Sequence, residues 1–199
     1  DEVINGAALT SSQVLGNKGA DTIFFTGDVT SSTILGGGGS SDSGQDSLVV
    51  SGTVLSSSLI AGDAADTFRF AAVSASTVDG GTGNDSILLT GALTGSSVIA
   101  GTGNDLVTVT GAVATASVLG GSGNDSLVFH STVSSSRIEL GTGKDTVNVV
   151  GAATASTVFS NFEKAFNFMV SAAASALAKE VCSFFSSFNA LSSLTLKRA

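Results

Sequence analysis

Aspartate recurs at positions 21, 46, 66, 85, 105, 125 and 145, at intervals of 25, 20, 19, 20, 20 and 20 residues. The one long interval holds about five extra residues within GGGGSSDSGQD, residues 36 to 46. A period of 20 residues is too short for an independent domain, so the units must bury their apolar side chains against one another by stacking. That requirement removes nearly every ordinary globular architecture.

Side-chain alternation inside the unit says what is stacked. Seven residues before the aspartate, five more in the unit with the insertion, stand Val14, Ile34, Leu59, Val78, Val98, Val118 and Ile138. Two residues after it stand Ile23, Leu48, Phe68, Ile87, Val107, Leu127 and Val147, and four after stand Phe25, Val50, Phe70, Leu89, Val109, Phe129 and Val149. A spacing of two among β-branched and aromatic residues is a strand signature. The predicted fold is all-β: a parallel β-solenoid of about seven 20-residue coils over residues 1–158, followed by a C-terminal segment, 159–199. So slender an aliphatic core calls for a second stabiliser such as ions, caps or neighbouring rods.

Composition excludes the competing classes. The chain is 42% hydrophobic and 12% charged, so it is not disordered, and its 25 glycines lack the every-third-residue period of collagen. With no proline at all, the turns must be made by Gly, Asn and Asp. A net charge of −8 repels nucleic acid and anionic lipid and favours cations as partners. The single cysteine, Cys182, permits no internal disulfide, and Lys179 and Glu180 interrupt the longest apolar stretch, so no transmembrane segment is expected. No secretory leader is visible at Asp1.

Gly27, Gly52, Gly91, Gly111 and Gly151 each lie six residues after a repeat aspartate, which by analogy sets Gly6 in a coil whose aspartate position falls one residue before Asp1. On that register the chain opens mid-coil, and the half-coil is completed either by upstream coils of a longer protein or by a neighbouring molecule. Val3 and Leu9 then become candidate assembly residues, since an open solenoid end presents unpaired strand groups and an apolar ladder.

Each aspartate closes a turn: GGTGND at 80–85, GTGND at 101–105, GGSGND at 120–125 and GTGKD at 141–145. Stacking like carboxylates about 5 Å apart costs roughly 3 kcal/mol per neighbouring pair at an effective dielectric near 20. Basic residues stand near the loops only at Lys18, Lys144 and Arg69, so the middle of the row needs another neutraliser. The alternative is that Asp and Asn merely hydrogen-bond the turn backbone, with mobile counterions outside.

These turns resemble the Gly-Gly-x-Gly-x-Asp-x-apolar-x nonapeptide of the RTX proteins over about residues 14 to 158. The resemblance implies calcium held between the loops of successive coils by Asp85, Asp105, Asp125 and Asp145 and by carbonyls of Gly81, Gly83, Gly101, Gly103, Gly121 and Gly123. Only one edge of the coil carries the motif here, the other reading like TGAVATAS, so one calcium row is expected rather than two. The first and third coils, with NKGAD and GDAAD, lack most of the glycines. The resemblance also implies secretion to an extracellular or cell-surface location, by a route that reads a C-terminal signal.

No catalytic constellation is visible: His130 stands alone in an outward column, and Cys182 lies in a different segment, so no enzyme activity is expected. The outward columns Leu15, Leu35, Ile60, Ile99, Leu119 and Phe24, Val49, Leu88, Val128 are apolar enough to mark contact surfaces. An ice-binding array of threonines, sought one residue after the aspartate, is too irregular to favour that function.

Between 159 and 188, Phe162, Phe166, Val170, Ala173, Leu177, Val181, Phe184 and Phe188 follow three- and four-residue spacing. That pattern predicts an amphipathic helix capping the solenoid, with Phe162 and Phe166 as assembly contacts. The functional expectation is a secreted, calcium-stabilised structural protein that self-assembles with copies of itself, head to tail or laterally, into a layer, matrix or filament. The alternative is a calcium-dependent C-terminal folding and export module of a longer secreted enzyme, toxin or adhesin.

Overall fold

A computed structural model of the chain describes residues 1–37, residues 43–159 and the backbone of residues 167–170. It is an all-β parallel solenoid with no helix among the described residues. One coil is typical: a strand after the aspartate, Ser86–Leu89, then the two-residue strand Leu93–Thr94, then Ser97–Thr102 leading into the next glycine turn. Strands of the third kind make an eight-stranded sheet. The others belong to one fifteen-stranded sheet, because in two coils they fuse into Ser47–Leu55 and Thr67–Ser74.

Pairing is parallel throughout, and in register apart from one shift between Val50 and Thr53, where Ser47–Leu55 meets Thr67–Ser74. Ile87 lies between Phe68 and Val107, and Val98 between Val78 and Val118. A slip of one residue would turn every inward side chain outward, so the alternating pattern holds the register. The three aliphatic columns are inward and buried from the second coil onward. A further column, Val29, Val54, Val73, Leu93, Val113 and Val133, completes the core, each at 0% exposure. Phe68 and Phe70 meet edge to face with centroids 5.6 Å apart.

The N-terminal residues correct the expected register. Val3 pairs with Thr22 and Gly6 with Phe25, so the aspartate position of the first coil falls on Glu2, inside the chain. The reason is a coil one residue shorter at this point, like that between Asp66 and Asp85, with Gly6 bare so that the Phe25 ring lies over it. Residues 1–15 therefore form a coil of their own, and the solenoid has eight coils rather than about seven. Ile4, Leu9 and Val14 extend the core into this coil, whereas Val3 points outward at 72% exposure and supplies no apolar ladder.

The solenoid also does not stop at Val158. Asn167–Val170, inside the span of the predicted helix, is a strand pairing with Thr146–Val149. The rest of that helix, with Phe162 and Phe166, lies outside the described residues. Among the described residues no helix is long and apolar enough to cross a membrane.

Candidate metal-binding edge

Where the loop is described in full, the chain turns sharply at the aspartate. The two residues four and two before it take positive φ: 120° and 135° at Gly101 and Gly103, and 113° and 129° at Gly121 and Gly123, with Gly81 and Gly83 alike. At Gly103 the requirement is absolute, since a Cβ there would run into the Gly83 carbonyl oxygen of the preceding loop. The first and third coils keep the same turn with fewer glycines, through Asn17 at 75° with Gly19, and Gly62 with Ala64 at 86°. Carbonyls of Gly81, Gly83, Gly101 and Gly103 thus point along the stack at the glycines of the following loop.

The aspartates do not lie on the loop surface. Asp21, Asp85, Asp105 and Asp125 are 1–2% exposed, and Asp145 is 5% exposed. One carboxylate oxygen of each is used within the stack. The backbone N–H of Asp85 donates to Asp105 Oδ1 at 2.7 Å, that of Asp105 to Asp125 at 2.9 Å and that of Asp125 to Asp145 at 2.9 Å. The Glu2 N–H donates in the same way to Asp21. These bonds join neighbouring coils rather than closing each turn on its own backbone, so the expected local Asx bonding is replaced by an interloop one.

In four of these aspartates the second oxygen has no hydrogen-bond partner. Oδ2 of Asp21, Asp85, Asp105 and Asp125 is buried and accepts no hydrogen bond. In the coil of Asp85, a Cβ placed on Gly80 would fill the space shared by Asp85 Oδ2 and the Ala100 carbonyl of the next coil. Burial pushes Asp85 and Asp125 up to about 6, opposed by the backbone hydrogen bond and reinforced by neighbouring carboxylates. Burial raises Asp105 and Asp145 as well. The charges acting on Asp85 are Asp105 and Asp79, and those on Asp125 are Asp105 and Asp145, all acidic.

A buried carboxylate with one oxygen unbonded and only acidic neighbours carries at neutral pH a poorly solvated charge that a bound cation would stabilise. No three His, Cys, Asp or Glu side chains converge among the described residues, so a cation would draw one carboxylate oxygen from a coil and the remainder from loop carbonyls. Oxygen donors of mixed type in a pliable loop suit calcium better than magnesium, which demands near-octahedral geometry. The residues present fit the ion. Asp85, Asp105 and Asp125 would hold it together with loop carbonyls, and Asp21, whose Oδ2 is likewise buried and unbonded, would be a further ligand despite its sparse glycines.

The opposite turn carries a second ladder that escaped notice in the sequence. Ser57 N–H donates to Ser76 Oγ at 3.0 Å, Ser76 N–H to Ser96 Oγ at 3.1 Å and Ser136 N–H to Ser156 Oγ at 3.2 Å. Each hydroxyl then donates to the carbonyl two residues back, as Ser76 does to Ser74 at 2.7 Å. Eleven residues after each aspartate, in most coils, a serine stood in plain sight as the available signal.

Outside the carboxylate row, the loop edge carries an exposed, repeating pair of columns: Thr82, Thr102, Ser122, Thr142, and Asn84, Asn104, Asn124. The asparagines are held in line, with Asn104 N–H donating to Asn84 Oδ1 at 2.7 Å and Asn124 N–H to Asn104 Oδ1 at 2.8 Å. His130 is exposed, as its outward column implied.

No family model matches the chain, and no curated protein matches it in sequence. Among solved structures, a hyperactive, Ca2+-dependent, β-helical antifreeze protein from an Antarctic bacterium is similar, with a TM-score of 0.72 at 24% identity. The alignment covers 98% of this chain and 66% of that one, so the chain spans about two thirds of its length. At that identity the likeness shows the β-solenoid fold and does not extend to RTX membership.

Proposed function

We propose that the protein is a non-catalytic, extracellular β-solenoid whose folded rod is completed by calcium and whose copies associate into a larger structure. The observation that carries the calcium reading is the row of buried, unbonded Oδ2 atoms at Asp85, Asp105 and Asp125. Calcium supplies positive charge between successive loops when bound. The aspartates orient one oxygen by the backbone bond and leave the second free to accept the ion, while the glycines admit the close loop approach. The similar solved structure is itself of a calcium-dependent β-helical protein, which supports the same assignment. Calorimetric titration of metal-free protein is the test: heat of binding and a raised melting temperature at millimolar calcium are expected, and neither appearing overturns the reading.

One observation favours a second activity on the same rod. The exposed Thr and Asn columns of the loop edge form a regular, hydrogen-bonded array facing water. Such an array can order water, and the similar solved protein is an antifreeze protein. Thr102→Tyr should abolish thermal hysteresis if this edge binds ice, with calcium affinity retained. Absence of thermal hysteresis in the wild-type protein removes this second reading alone.

A further inference from the structure

The inward side chains of both sheets share one core, so their outer faces look in opposite directions. Each outer face carries a column of mostly apolar residues with polar interruptions, among them Arg69 on the larger sheet and Asp79 on the smaller, each flanked by apolar neighbours. On the larger sheet the column runs Phe24, Val49, Arg69, Leu88, Thr108, Val128, Asn148. On the smaller sheet it runs Leu35, Ile60, Asp79, Ile99, Leu119, Glu139.

Arg69 and Asp79 are electrically complementary. Arg69 is exposed between Val49 and Leu88, and among the described residues it is the only Lys or Arg in the strands of the larger sheet. On the smaller sheet Arg137 pairs with Glu139, which leaves among the described residues Asp79, between Ile60 and Ile99, and Asp63, at the loop end of its strand, without a basic partner. Arg69 and Asp79 lie in the same coil, ten residues apart, so they sit at nearly the same height on the rod.

We propose that a second copy of this chain docks face to face, the larger sheet of one rod on the smaller sheet of the next, with Arg69 meeting the partner's Asp79. This rests on the self-association reading above and specifies its direction. Equal heights require parallel rods with little axial shift. Eight coils at about 4.8 Å by a face about 17 Å wide bury roughly 650 Å² per copy, enough for a specific interface. The contact joins unlike faces, so each docked copy presents a fresh face of each kind, and the product is an open stack. Apolar neighbours on both sides withdraw the pair from water, which makes a charge mismatch costly.

The test is a charge-swap cycle on the full chain with calcium present, read by sedimentation and electron microscopy. Arg69→Glu and Asp79→Arg should each weaken association by tenfold or more, and the double variant should recover to within about threefold of wild type. Neither side chain lies in the core, so circular dichroism verifies the fold, and saturating calcium is kept in every arm because the Asp79 charge acts on Asp85. Filaments one rod wide that ignore all three variants overturn the face-to-face contact and leave self-association standing. Monomers at high wild-type concentration overturn both.

Discussion

Each coil turns twice, and the two turns use the same hydrogen bond to different ends. At one edge a backbone N–H donates to an aspartate oxygen of the next coil, and at the other it donates to a serine oxygen of the next coil. Serine then finishes the circuit with its own proton, given to a carbonyl two residues back. Aspartate has no proton to give at neutral pH, so its second oxygen is left buried and charged. The serine edge thereby satisfies its own hydrogen bonds, and the aspartate edge keeps a buried charge that the chain does not answer. Stability is unequally distributed around a rod whose strands and core look uniform.

Calcium removal is the largest test of that asymmetry. A site occupied at a hundredfold over its Kd contributes about 2.7 kcal/mol, so three interloop sites contribute about 8 kcal/mol. Chelation should lower the melting temperature sharply and should release amide protection at Asp85, Asp105 and Asp125 before Ser57, Ser76 and Ser136. Hydrogen exchange resolved along the chain makes the comparison. Equal loss at the two edges sinks it.

The next effect is a crossing pH dependence. Asp85 and Asp125 titrate near 6 in the metal-free fold, above the ordinary carboxylate value of 3.8. Between these values the folded chain holds protons that the unfolded chain has released, so stability is full below the lower value and falls as pH rises through the upper one. Metal-free protein should therefore melt higher at pH 4 than at pH 7. Calcium competes with those protons, so the calcium-loaded protein should show the opposite trend over the same window. Thermal melts at both pH values, with and without calcium, decide the sign.

A single-site version of the same comparison is Asp105→Asn. The amide keeps an oxygen for the Asp85 N–H and removes the buried charge. We expect a gain of about 1 kcal/mol without calcium and a loss of about 1 to 3 kcal/mol with it. A substitution that moves stability the same way in both conditions would contradict the division between the edges.

The aspartate edge was legible in the sequence because its chemistry is conspicuous: charge, glycine and a fixed interval coincide at GTGND. The inward columns were legible because Val, Ile and Phe at a spacing of two admit few other readings. The serine edge was hidden, since Ser76 and Ser96 lie among Ser, Thr and Ala residues whose composition resembles any polar loop. The first coil was misplaced because Gly6 looks like the turn glycine Gly27, while its actual role is to make room for Phe25. Asp1 and Glu2 were the better guide. Asp1 Oδ1 accepts the Ala20 N–H at 2.8 Å, in the column of Asn84, with Glu2 in the column of Asp85. The threonine array was sought one residue after the aspartate, whereas the exposed, regular column stands three before it.

The smallest effect lies on the serine edge, at its one interruption. Ala116 occupies the serine column and is 5% exposed, so the Ser96 N–H meets a methyl group where the Ser76 N–H meets a hydroxyl. On the far side the ladder resumes, with Ala116 N–H donating to Ser136 Oγ at 3.1 Å. Ala116→Ser should restore the missing bond and raise stability by about 0.5 to 1 kcal/mol. The lower figure is the better expectation, because the Thr115 hydroxyl already donates to the Ala114 carbonyl at 2.7 Å, the acceptor a new serine would use. The gain should be equal with and without calcium, since the serine ladder holds no charge. Chemical denaturation in both conditions measures it, and a gain seen only with calcium would mean that the two edges are coupled through the core rather than independent.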